Sequence, residues 1–213
     1  MNALGFEVLD ARPEPYAAVP TILLRLRVTH PDGLPVHAAA LRVQLRIEPR
    51  RRRYDATDQA RLVELFGEPG QWGDSLNPFL WTHADTTLTA FTGTTEVDLP
   101  ITCTYDLEVA ATRYFHALGD DGTVPVVLLF SGMTFTQGET GLQVAPIAWH
   151  AEASYDLPVA TWRATMDQSF PNSGWLRLSR ETLDELAAFK ASRALPTWDH
   201  AIAALLEEGD PTP

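Results

Sequence analysis

Leu41-Arg42-Val43-Gln44-Leu45-Arg46-Ile47-Glu48 changes from apolar to polar at every step. Successive side chains of an extended chain point to opposite faces. Leu41, Val43, Leu45 and Ile47 therefore share one face, and Arg42, Gln44, Arg46 and Glu48 the other. This is the signature of a strand with one buried face. Thr21–Thr29 repeats it, with Ile22, Leu24, Leu26 and Val28 inward and Arg25 and Arg27 outward. The turn signal His30-Pro31-Asp32-Gly33 lies between the two, so they are expected to pair as antiparallel neighbours. Thr95–Cys103 alternates again, with Val97, Leu99, Ile101 and Cys103 inward. Its Glu96 and Asp98 are expected to face the arginine row across strands, at about 0.2–1 kcal/mol per pair.

Elsewhere the period changes. Val124–Phe130 is apolar on both faces and reads as a central strand. Leu107, Ala110, Ala111, Tyr114, Phe115 and Leu118 fall at helical spacing, and a second inserted helix is expected over 57–66, stopped by Gly67. Residues 68–92 read as mostly loop. From 158 to 206 the apolar positions recur every three to four residues, which predicts two or three helices. The expectation is an α+β, mostly β fold. An antiparallel β-sandwich-like body spans 1–156, a C-terminal helical segment packs on it over 157–206, and a flexible tail follows over 207–213.

The chain has 213 residues, 45% of them hydrophobic, which is enough for a real core. Its net charge is −12, a poor match to nucleic acid. The charge is uneven, because nine of the fifteen arginines lie in residues 1–53. No apolar run approaches the roughly 20 residues of a membrane span, and no export signal is visible, so a soluble cytoplasmic protein is expected. A lone Cys103 excludes an internal disulfide and four-cysteine zinc sites.

Three sets of residues are candidates for function. Arg50, Arg51, Arg52 and Arg53 are four adjacent like charges that could hold an acidic protein surface. Trp72 and Trp81, in the loop-rich stretch, are candidate interface anchors. His83 with Asp85, and His150 with Glu152, have the two-residue spacing that on a strand would place both groups on one face, as a metal site or an acid–base pair requires. No nucleotide-binding or hydrolase motif accompanies them, so no cofactor is expected. An accessory or partner-binding role is favoured. A small-ligand or metal-binding module, a hydrolase, and a chaperone-like holder with an apolar groove are the alternatives.

Several strings carry a resemblance. They include Arg46-Ile47-Glu48-Pro49, Leu65-Phe66-Gly67-Glu68-Pro69, Phe79-Leu80-Trp81-Thr82-His83, Phe170-Pro171-Asn172-Ser173-Gly174-Trp175 and Leu195-Pro196-Thr197-Trp198-Asp199. Through them the chain resembles, over nearly its whole length, an uncharacterised bacterial family known only as a domain of unknown function. Members of that family tend to be encoded near nickel–iron hydrogenase genes. The resemblance implies service to a hydrogenase subunit or maturation factor. The family has no assigned catalytic or binding residues to carry over.

Overall fold

In the computed structural model, which describes residues 4–104, 106, 107, 109–138, 141–171, 173 and 176–209, the alternating segments become strands of two different sheets. One sheet has the order β1 (Gly5–Pro13), β2 (Thr21–Thr29), β6 (Thr94–Thr102). The other runs β4 (Phe79–Leu88), β3 (Pro35–Ile47), β7 (Thr123–Gly138), β8 (Gly141–Pro146). The short β5 (Phe91–Thr92) also pairs with β3, and β9 (Glu152–Pro158) with β7. Every pairing is antiparallel.

The expected pairing of β2 with β3 does not occur. Both edges of β2 are taken by β1 and β6, and both edges of β3 by β4 and β7. The two strands meet through their apolar faces instead. Ile22, Leu24, Leu26 and Val28 are fully buried, as are Val43, Leu45 and Ile47, and all belong to one core. A period of two fixes which face is buried, not which edge is joined. Burying such side chains contributes about 1.5–3 kcal/mol each.

Three helices in the first part of the chain, α1 (Ala56–Phe66), α2 (Trp72–Ser75) and α3 (Ala110–Ala117), precede β7. Asp55 caps α1 by accepting the Asp58 backbone N–H at 2.7 Å, and Gly67, at φ +76°, ends it. Leu62 and Phe66 turn inward, as their spacing predicts. Tyr114, Phe115 and Leu118 are fully buried. The Tyr114 ring packs on Phe66 and Phe79, and the Phe115 ring on Trp81.

The stretch 68–92, expected as loop, holds β4 and β5. A register shift opposite Leu45 and Arg46 breaks the alternation of β4 near Trp81, so its period was hidden.

The compact units are Met1–Gly174 and Trp175–Pro213. Helix α4 (Val159–Ser169), placed by sequence with the tail, lies in the first. Its Trp162 stacks on Phe115 with ring centroids 5.2 Å apart, and Val159 and Met166 are buried in the same core. The second unit contains α5 (Arg180–Ser192) and α6 (Trp198–Gly209). Ser179 caps α5, and Lys190 lies over the Trp198 ring. Residues 207–209 are the end of α6, and the rest of the expected flexible tail, 210–213, lies outside the described residues. Among the described residues, no helix is long and apolar enough to cross a membrane.

Candidate interaction surface

The two sheets present different outer faces. On the three-stranded sheet, the register sets Arg25 opposite Asp98 and Arg27 opposite Glu96. Six side chains form one chain of alternating sign: Glu7–Arg27 at 2.9 Å, Arg27–Glu96 at 3.5 Å, Arg25–Glu96 at 3.1 Å, Arg25–Asp98 at 3.2 Å and Arg12–Asp98 at 2.7 Å. Partial burial alone would raise the Asp98 carboxyl. The hydrogen bonds from Arg12 and Arg25 outweigh it and hold the group below the usual carboxylate range. Six charges of this face pair with one another, as the parity of the sequence predicts, while Asp10, opposite Arg25, is exposed without an ion-pair partner among the described residues.

The six-stranded sheet is built the other way. Its outer positions run in rows across the strands. Leu80, Arg46, Val127 and Ser154 form one row, and His83, Gln44, Leu129 and Glu152 the next. Farther along lie Thr87, Ala40, Met133 and Pro146, then Ala38, Phe135 and Val144. Large apolar side chains stand in solvent here: Leu80 is 47% exposed, Met133 46%, Val144 55% and Leu142 61%. A hollow of about 350 Å³, bordered by Ala40, Arg42, Asp85, Thr87, Gly132 and Met133, lies on the same face. Arg42, Arg46, His83, Asp85, Glu152 and Asp156 also point outward. None of them has an ion-pair partner among the described residues.

The arginine run divides by burial. Arg51 and Arg53 are exposed. Arg50 donates to the Gly73 carbonyl. Arg52 is structural: its side chain is 10% exposed and pairs at 3.5 Å with Asp58, itself 6% exposed. Arg52 also donates to the carbonyls of Thr123 at 2.7 Å and Asp121 at 3.2 Å, while Asp58 accepts the Gly119 N–H at 2.9 Å. The pair fastens α1 to the turn that feeds β7. Beside it the Tyr54 and Tyr114 hydroxyls meet at 2.7 Å. Burial pushes Tyr54 up to about 12 and raises Tyr114 further.

Neither tryptophan is an exposed anchor. Trp72 is buried, donates its Nε1–H to the Gly67 carbonyl at 2.8 Å, and packs edge-on against Tyr54 and Phe66. Trp81 is half-buried against Phe115. A tryptophan between glycines, prolines and polar residues looks like a loop anchor in sequence. Here Trp72 is packed against the C-terminal end of α1.

The histidine–carboxylate pairs do not converge. His83 and Glu152 share a row but stand three strand spacings apart, about 14 Å. His150 lies in the turn before β9, its ring against Trp149, so the strand parity that would align it with Glu152 does not apply. Among the described residues, no three His, Cys, Asp or Glu side chains gather as a metal site would need. Cys103 is buried, and burial pushes its thiol up to about 12, out of the reactive range.

The outer face of the six-stranded sheet was not singled out by sequence. The signal was present in the double-sided apolarity of Val124–Phe130. In an antiparallel sheet the second face normally meets water. Here Val127 and Leu129 are only half-buried.

A family model described as a family of unknown function, DUF6084, matches residues 1–213. The chain belongs to the DUF6084 family. No curated protein sequence matches it. Among the solved structures that match this DUF6084 chain, two match it weakly. They are the selenomethionine-labelled β-glucosidase from Kluyveromyces marxianus, at 9% identity and TM-score 0.27, and the same enzyme in complex with glucose, at 8% identity and TM-score 0.24. In each case the match covers 73% of the DUF6084 chain and 15% of the β-glucosidase. Likeness at that level carries no argument about activity.

Proposed function

We propose that this DUF6084 protein acts without chemistry of its own, as an accessory or assembly protein that holds another protein. The observation that carries the proposal is the contrast between its two outer sheet faces. One closes six of its charges into a chain of ion pairs, and the other leaves large apolar side chains and six charged or ionisable groups without ion pairs in or near solvent. An exposed apolar sheet face with unpaired charges around it is the pattern of a contact surface. Arg51 and Arg53, exposed and without an ion-pair partner among the described residues, supply attraction to an acidic partner. The family resemblance suggests a nickel–iron hydrogenase subunit or maturation factor as that partner.

The test is quantitative affinity purification from the native host with three baits: wild type, Arg51→Glu/Arg53→Glu, and Leu129→Glu. The double charge reversal should reduce recovery of the acidic partner and flatten its dependence on salt. Leu129→Glu should reduce recovery at every salt concentration. Equal recovery by all three baits would remove the basis of the proposal.

A further inference from the structure

The charge map of the same sheet face names an occupant. This inference rests on the reading of that face as a contact surface. Across the outer face, β3 carries the bases Arg42 and Arg46, β7 carries the apolar Val127, Leu129, Met133 and Phe135, and β9 carries the acids Glu152 and Asp156. β3 and β9 flank β7 on opposite sides. We propose that this face packs on the same face of a second copy, about a two-fold axis running along β7.

The geometry follows from the order of the strands. Rotation about an axis along β7 lays β7 on β7 of the second copy and exchanges the flanking strands. The bases on β3 of each copy then lie over the acids on β9 of the other. Rotation about the strand direction keeps the rows in step. Arg46, in the row of Ser154, falls between Glu152 and Asp156 of the second copy, and Arg42 falls on the far side of the same Glu152. The apolar residues of β7 form the seam. Two sheets packed in this way lie about 10 Å apart, within reach of opposed arginine and glutamate side chains. The interface is isologous, so each favourable pair occurs twice. Each chain carries a net charge of −12, and two copies repel at long range. That repulsion decays over about 8 Å at physiological salt, and at contact the local pairs decide.

The face measures roughly 15 by 30 Å, from strand spacings of about 4.8 Å and rises of about 3.3 Å per residue. At about 450 Å² per copy this is below the roughly 800 Å² per partner of a standard stable interface, so the dimer should be weak, reversible and concentration-dependent.

Sedimentation velocity from about 1 to about 100 µM tests the proposal, because mass action then moves the monomer–dimer balance. Wild type should dimerise over this range. Arg46→Glu alone and Glu152→Arg alone should each weaken the dimer at least tenfold, since each sets like charges face to face twice. An equimolar mixture of the two variants should recover nearly wild-type association. In the mixed dimer, the two reversed side chains meet each other with opposite charge, and the unaltered Arg46 of one copy meets the unaltered Glu152 of the other. Misfolded variants could not produce this recovery. A wild type that stays monomeric throughout, a dimer indifferent to both single reversals, or a mixture no stronger than its components would each overturn the second-copy assignment. If Leu129→Glu still lost a partner protein that wild type recovers, the broader reading of the face would survive that failure. If it lost nothing, both would fall.

Discussion

Alanine at Gly132 should destabilise the first unit by about 3–5 kcal/mol, the largest single-methyl effect we expect in this fold. Gly132 adopts φ +134°, a region that side chains rarely enter. A Cβ built there would lie 1.9 Å from the Ala40 carbonyl oxygen, inside any possible contact. The Cβ is fixed to its own backbone and the oxygen is backbone, both within paired strands, so neither can swing aside. The position also has a topological role. β7 pairs with β9 through Thr123–Leu129 and with β8 through Met133–Gly138, and Gly132 lies where it changes partner. The measurement is the urea midpoint of Gly132→Ala against wild type. A shift equivalent to less than about 1 kcal/mol would show that the β3–β7 contact relaxes, and the close approach of the two strands would have to be abandoned.

Removing Arg52 should have a comparable effect for a different reason. Arg52→Met leaves the Asp58 carboxylate buried with the Gly119 amide but without its counter-charge, and unpairs the carbonyls of Asp121 and Thr123. Breaking one side of a buried ion pair costs about 3–5 kcal/mol. Combining it with Asp58→Asn should return part of that loss, because the stranded charge is then gone. Arg51→Met, at the adjacent but exposed member of the run, should shift stability by no more than about 0.5 kcal/mol. Similar denaturation midpoints for Arg51→Met and Arg52→Met would contradict the division of the run into structural and free members.

The arginine run shows where a one-dimensional pattern stops. Four identical neighbours give no cue that the third turns inward, because the Asp121 and Thr123 carbonyls that help hold it lie far along the chain, in and beside the turn before β7. The alternating strands were legible, since one-sided burial writes itself into every second residue. Their parity also foretold the ion pairs of Arg25 and Arg27 with Glu96 and Asp98. The pairing of edges was not legible, and β2 and β3 proved to face each other across the core. β4 was missed because a register shift removes the one regularity that marks a strand. Trp72 carries an indole N–H that needs an acceptor, and nothing in its local sequence shows that the Gly67 carbonyl is waiting for it. The histidine pairs failed on distance, which spacing along the chain does not encode across strands.

The candidate surface itself became visible only as a comparison between two faces. The apolar residues that define it come from β4, β7 and β8, and its charges from β3, β4 and β9, so no contiguous segment announces it. What marks it is unmet chemistry on one sheet face where the other pairs most of its charges.

Oxidative footprinting of Met133 tests most directly that this face is covered by a second copy of the chain. The Met133 side chain stands in the apolar seam of β7 and is 46% exposed, while Met166, 2% exposed in the core, serves as the internal reference. In wild-type protein, raising the concentration through the association range should slow hydroxyl-radical oxidation of Met133 several-fold relative to dilute protein, with Met166 unchanged, and Arg46→Glu should move that protection to at least tenfold higher concentration. Oxidation of Met133 at one rate in wild type and variant, at every concentration, would contradict it.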